Sequence, residues 1–319
     1  MLELTREIAG EIIIVRMHEA PHIDELVALL MFEEHGTTEA LDYACHVIDD
    51  NSVLSLGCEG SRLDEHQESL YPQRQDCCAT LVAKLLGLME DPVWEPLLTF
   101  VYLTDTGKRL NGKKGLGRHV YDIGNLFKTH WRYSQATMAM TEQVKVGVVE
   151  QCLAVLKRTI WDQSYFVRAV AEIQERGVVE DVTNGPRVVL IESDNHQANA
   201  AARKHFKADV VVLRQPIQQT HIFASQNRKK RPRHLAAGFD RLAAALSRAE
   251  LALQGNDPRI VPDSVTREGR LPDKCWYYHR PHALHNGTES YPTEYPPSQL
   301  TNDEIMDIIR ETLRDTRYA

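Results

Sequence analysis

The run Glu11-Ile12-Ile13-Ile14-Val15-Arg16-Met17, closed by Gly10 before it and a histidine-bearing loop after it, constrains this chain more than any other feature. Seven residues dominated by β-branched side chains and bounded by turn formers read as a buried strand. The residues beyond the loop alternate between helical and extended patterns. Residues 24–34 place Leu26, Leu29, Leu30 and Phe32 at helical spacing and stop at Gly36. Residues 43–48 and 52–56 read as two more strands. Residues 77–88 read as a helix with Cys78, Leu81, Val82, Leu85 and Leu86 on its apolar face. A further apolar stretch, residues 93–103, reads as another strand. Strands alternating with helices predict an α/β architecture with a mostly parallel sheet.

At 319 residues the chain is long enough for two domains. Long helical segments cover residues 138–176. A second α/β unit opens after Asn184-Gly185-Pro186, with a strand at 187–191, a helix at 197–206, a strand at 209–213, a hairpin partner at 220–224 and a helix at 235–253. The boundary is placed near residue 180. Residues 1–180 form the first domain, with a helical connector over about 138–180, and residues 181–319 form a smaller α/β domain.

Lys and Arg number 37 against 45 Asp and Glu, a net charge of −8, so bulk charge gives no general attraction for nucleic acid. Residues 1–10 carry Glu3, Arg6 and Glu7 without an apolar core and do not read as a secretory signal. No apolar stretch approaches the roughly 20 residues needed to span a bilayer. Six scattered cysteines without a CxxC pair exclude a zinc ribbon and argue for a reducing cytoplasm.

Three short segments carry the candidate chemistry: His18-Glu19-Ala20-Pro21-His22-Ile23-Asp24-Glu25, Leu63-Asp64-Glu65-His66-Gln67 and Leu103-Thr104-Asp105-Thr106-Gly107. Each follows an apolar run, so each is expected in a loop at a strand end, where the strands of an open α/β sheet converge on one crevice. Imidazoles and carboxylates gathered there are a ligand set for one or two divalent metals. The plainer reading makes Asp24 an N-cap and Asp64 and Asp105 turn residues. Two basic stretches stand out. Lys113, Lys114 and Arg118 lie in a glycine-rich loop that reads as a phosphate cradle or a solvated linker. Arg228, Lys229, Lys230 and Arg231 lie in the densest basic run and read as a phosphate-backbone grip or a surface face. Farther on, residues 276–288 concentrate aromatics and histidines and include His285, Asn286 and Gly287.

Taken in order, these motifs resemble the DHH phosphoesterase superfamily. His18-x-x-x-His22-x-Asp24, Asp64-Glu65-His66-Gln67, the helix from Cys77 and Asp105-Thr106-Gly107 resemble one branch most, the melanocyte-proliferating-gene family of metal-dependent exonuclease-like proteins. The likeness implies a metal-binding domain followed by a substrate-binding one. It implies His18 and His22 on one metal and Asp24, His66 and Asp105 on another, with Asp64 and Glu65 catalytic. Mn²⁺ is the implied ion, as one ion or two. Lys113, Lys114, Arg118, Arg228, Lys229, Lys230, Arg231, His285, Asn286 and Gly287 would hold a phosphate-containing substrate, a nucleotide or oligonucleotide. The implied activity is phosphoester hydrolysis by metal-activated water, as in a nuclease, with no membrane partner and a homo-oligomer compatible with it. The likeness departs at two places. Glu65 replaces the first His of the name-giving motif, and Ser55 stands where the family carries a metal-bridging Asp, with Glu59, Asp49 or Asp50 as substitutes. The alternative is therefore a catalytically degenerate nucleotide- or RNA-binding protein of the same fold. A structural interaction protein without a ligand is a third reading.

Overall fold

The computed structural model describes residues 1–49, 51–67, 76–106, 123–216, 219–224, 235–280, 282–286 and 296–315. The chain divides into two compact units, Met1–Ser164 and Tyr165–Ala319. The division falls inside a helix, α6 (Glu142–Arg176), within the stretch expected as a helical connector. Among the described residues no helix is long and apolar enough to cross a membrane.

The first unit holds a sheet of β1 (Leu2–Ile8), β2 (Glu11–Met17), β3 (His46–Ile48) and β4 (Asn51–Ser55) in the order β1-β2-β4-β3. Only β2 and β4 run parallel, with Arg16 beside Ser55. β1 and β3 are hairpin partners of β2 and β4, and a tight hairpin is antiparallel by construction. The sheet is therefore mixed, not mostly parallel. β1 is a strand absent from the sequence expectation: Leu2, Leu4 and Ile8 point inward while Glu3, Thr5 and Glu7 point out. β2 is also one-faced, because Ile13, Val15 and Met17 are buried while Ile12 is 76% exposed.

The crossover from β2 towards β4 passes through α1 (Ile23–His35) and α2 (Thr38–Ala44). α1 is buried continuously from Ile23 to Phe32, Asp24 and Glu25 included. Carboxylates in such a helix need partners or a counter-charge, since burying a lone charge is costly. α3 (Cys78–Leu85), α4 (Glu95–Thr106), α5 (Ile123–Thr137) and the first part of α6 complete this core. α4 corrects the expectation of a strand before Asp105. Leu97, Leu98, Val101 and Tyr102 are buried at helical spacing, and Pro96 sits in the first turn, where no intrahelical N–H bond is lost.

The second unit holds a seven-stranded sheet, ordered β5 (Val178–Asp181), β6 (Arg187–Glu192), β7 (Val210–Arg214), β8 (Thr220–Ala224), β11 (Ala283–Asn286), β10 (Trp276–His279) and β9 (Gly269–Arg270). β6 and β7, joined through α7 (Ala198–Lys204), form its one parallel pair. One face packs on α8 (Leu235–Leu253) and α9 (Asn302–Leu313) through Val210, Phe239, Leu242 and Ile309. The other packs on α7 and the end of α6 through Val189, Val211, Ala201 and Ile173.

Candidate metal centre

The parallel pairing of β2 and β4 brings two strand ends together. Leu56 N–H donates to Arg16 O at 2.9 Å, so the His18 loop and the loop after β4 leave the sheet side by side. Gly57 turns that second loop with φ +64°, and a Cβ there would come within 3.1 Å of Glu25 Cγ. Glycine allows both the left-handed turn and the close pass over α1. Asp64 and His66 arrive in the turns beyond, and Asp105 arrives in the last turn of α4.

These segments converge. One carboxylate oxygen each from Asp24, Glu65 and Asp105 lie within 4.8 Å of one another. His22, Asp24 and Glu25 form a second such group, and Asp64, Glu65 and His66 a third. Asp24 links the first two groups and Glu65 links the first to the third. Asp24 Oδ2 accepts from the Cys78 backbone N–H at 3.3 Å, whereas Asp24 Oδ1 and Glu65 Oε2 are buried with no hydrogen-bond donor among the described residues. Burial, then the charges of Asp105, Glu25 and Glu65, push the Asp24 carboxyl well above its usual range. Burial lifts Glu65 to about 7, helped by Asp105 and Asp64. Asp105 is also raised by burial, with His22, His66 and Lys128 pulling it back. Crowded carboxyls with two orphaned oxygens are the donor set that a divalent cation satisfies, and the flanking imidazoles extend it to borderline metals.

The histidines are held by neighbouring carboxylates. Asp64 Oδ1 lies 3.1 Å from His66 Nδ1 and accepts the His66 backbone N–H at 3.0 Å, while Oδ2 accepts from Gly60 N–H. Asp64 thus fixes the imidazole and leaves Nε2 outward, the arrangement of a carboxylate that orients a histidine. Glu25 does the same for His18: Oε1 lies 2.8 Å from His18 Nδ1 and Oε2 accepts the His18 N–H at 2.9 Å. This contact raises the His18 pKa. His18 stacks on His22 at 5.8 Å between ring centroids but joins none of the three donor groups. Glu25 is not among the expected ligands. Its signal is the spacing His22-x-x-Glu25, because Glu25 Oε1 accepts from His22 N–H at the start of α1, half of a capping box.

Ser55 is fully buried and turned elsewhere. Its hydroxyl donates to Glu59 Oε2 at 3.0 Å, and Glu59 lies 3.6 Å from Arg16. Glu59 belongs to none of the donor groups, Asp49 sits in the β3–β4 turn, and Asp50 lies outside the described residues. Ser55→Asp is expected to place two carboxylates face to face, cost about 1–3 kcal/mol in urea unfolding, and add no bound metal. Extra metal by elemental analysis would mean that position 55 faces the cluster after all.

The expected substrate contacts fare differently. Lys113, Lys114, Arg118, Arg228, Lys229, Lys230, Arg231 and Gly287 lie outside the described residues. Asn286 is buried with its amide committed, donating to Cys275 O and Pro296 O and accepting from Ser298 N–H, so it braces the chain and offers nothing to a ligand. His285 sits on β11 with its Nδ1 2.9 Å from that of His221 on β8, and burial pushes its pKa down to about 4. All six cysteines are free thiols. No family model, curated protein or solved structure matches the chain.

Proposed function

We propose that the first unit is a metal-dependent phosphoesterase centre. The observation that supports this best is the convergence of Asp24, Glu65 and Asp105 with two buried carboxylate oxygens that have no donor among the described residues. Asp24, Glu65 and Asp105, flanked by His22 and His66, would hold a divalent cation such as Mn²⁺. A bound cation of this kind lowers the pKa of its water and offsets phosphate charge. His66, oriented by Asp64 through Nδ1, would offer Nε2 as a further ligand to that cation. Burial of Asp24 and Glu65 limits screening by bulk water on one side of the site, while Asp105 faces solvent on the other. The free thiols fit a reducing cytoplasm.

Hydrolysis of bis(p-nitrophenyl) phosphate and p-nitrophenyl phosphate tests the reading. Activity should require Mn²⁺ or Mg²⁺, stop with EDTA, and fall about 100-fold or more in Asp105→Asn, as loss of a group acting on the reacting atoms does. Metal bound with no turnover of either ester would leave a second reading, a binding protein for nucleotides or RNA. Ser55 favours that reading, since its hydroxyl is spent on Glu59 and position 55 adds no carboxylate to the cluster.

A further inference from the structure

A cavity of about 370 Å³ opens against the acidic cluster, within the range of small-molecule sites and near its lower end. His22 belongs to both: it lines the cavity and shares a donor group with Asp24 and Glu25. The facing wall is α5, which contributes Phe127, Lys128, Trp131 and Arg132.

This wall carries three unused polar groups. Lys128 and Arg132 are exposed one helical turn apart, and neither has a hydrogen bond or ion pair among the described residues. Like charges at that spacing cost a helix about 0.2–0.5 kcal/mol, so helix formation alone does not select them. Trp131 is 8% exposed, and its indole Nε1–H is buried without an acceptor among the described residues. Two cations and an orphan donor call for an anion with acceptor oxygens. Apart from Gln135, the rest of the lining is mostly apolar, with the Phe127 and Trp131 rings sharing it with Leu26 and Val149.

We propose that this cavity binds a phosphate monoester bearing a planar ring, a nucleoside monophosphate, with its phosphate towards Lys128, Arg132 and His22 and its base against Phe127 and Trp131. The proposal rests on the reading of the cluster as a phosphoesterase centre and names its substrate class. The cavity is too small for an oligonucleotide, so a strand would enter by its terminal nucleotide alone.

Calorimetry on the full chain, with Mn²⁺ and separately with EDTA, tests this with adenosine monophosphate, ribose 5-phosphate, inorganic phosphate and a 5′-phosphorylated dinucleotide. Adenosine monophosphate should bind about tenfold or more tighter than ribose 5-phosphate, the worth of one stacked ring. Lys128→Ala with Arg132→Ala should weaken it by about tenfold or more and leave metal content unchanged. Lys128→Gln with Arg132→Gln repeats the test without shortening the side chains, and Trp131→Phe keeps the ring while removing the donor. Equal binding of the dinucleotide would identify a strand end as an equivalent source of the same group. Adenosine monophosphate that fails to bind, binds no tighter than phosphate, or ignores the double variants overturns the proposal. Metal without nucleotide overturns the cavity alone, whereas nucleotide sensitive to Lys128 and Arg132 in a protein that holds no metal overturns the cation reading alone.

Discussion

Asp24→Asn is expected to raise the melting temperature of the metal-free protein by several degrees at pH 8 and to abolish divalent-cation binding. The two effects have opposite signs and one cause. Asp24 is 2% exposed, one of its oxygens has no donor, and Asp105, Glu25 and Glu65 crowd it. Without a cation, the folded chain must either bury that charge or take up a proton from a medium that holds few at pH 8. Asparagine keeps the shape, still accepts from Cys78 N–H, and turns an amide donor towards the remaining carboxylates. With a cation the balance reverses. At a metal concentration 100 times its dissociation constant, the parent should gain about 2.7 kcal/mol, roughly 5–10 °C for a domain of this size. The variant should gain nothing. Thermal shift with EDTA and with Mn²⁺, beside metal analysis, reads both arms. A variant that is less stable than the parent without metal, or that binds metal as the parent does, would show that Asp24 is an ordinary satisfied helix residue.

The sequence made parts of this centre legible for definite reasons. The β-branched run of β2 and the His22–Asp24 start of α1 placed one segment at a strand end, where it lies. Leu235–Leu253 is read at its observed bounds, because nineteen residues with one apolar face leave little ambiguity. The Leu63–Gln67 segment also follows a strand, β4, whereas the third is brought in by a different element than expected. Asp105 comes from a helix, and periodicity does not separate a short apolar helix from a buried strand. β1 is hidden because its alternation of Leu and Ile with Glu, Thr and Arg resembles a charged leader until read at period two. α5, the source of Lys128 and Arg132, has few apolar residues and announces itself weakly. The histidine-rich stretch 276–288 is also legible only as a composition. Its hairpin of β10 and β11 appears once Trp276 is set opposite Asn286 and Tyr278 opposite Leu284. Glu25 is visible in the motif but unassigned, since the His22-x-x-Glu25 spacing marks a capping box and the hold on His18 shows only as a contact.

The metal-free protein should lose stability as pH rises from about 4.5 to 7, and a divalent cation should reverse that slope. Glu65 drives the first part. Its folded pKa of about 7 stands above the unfolded value of 4.5. Between those values the native chain keeps a proton that the unfolded chain has released, so stability is fully present below 4.5 and is lost as pH climbs through 7. Asp24 and Asp105 are raised as well and push in the same direction. His18, raised by Glu25, also gives stability that is present at low pH and lost as pH rises above its ordinary value of 6.5. His285 opposes them from the second unit: its pKa, lowered to about 4, withdraws stability as pH falls from 6.5 towards 4. Glu65→Gln separates these contributions, because it should flatten the part of the slope between 4.5 and 7 and leave the acid limb of His285 in place. Cation binding requires ionised ligands, so the loaded protein should gain stability with rising pH over the same window. Urea midpoints at half-unit pH steps, with EDTA and with Mn²⁺, for parent and Glu65→Gln give four curves. Parallel curves for parent and variant without metal would mean that Glu65 titrates as an exposed carboxyl and that the three carboxylates do not share one buried site.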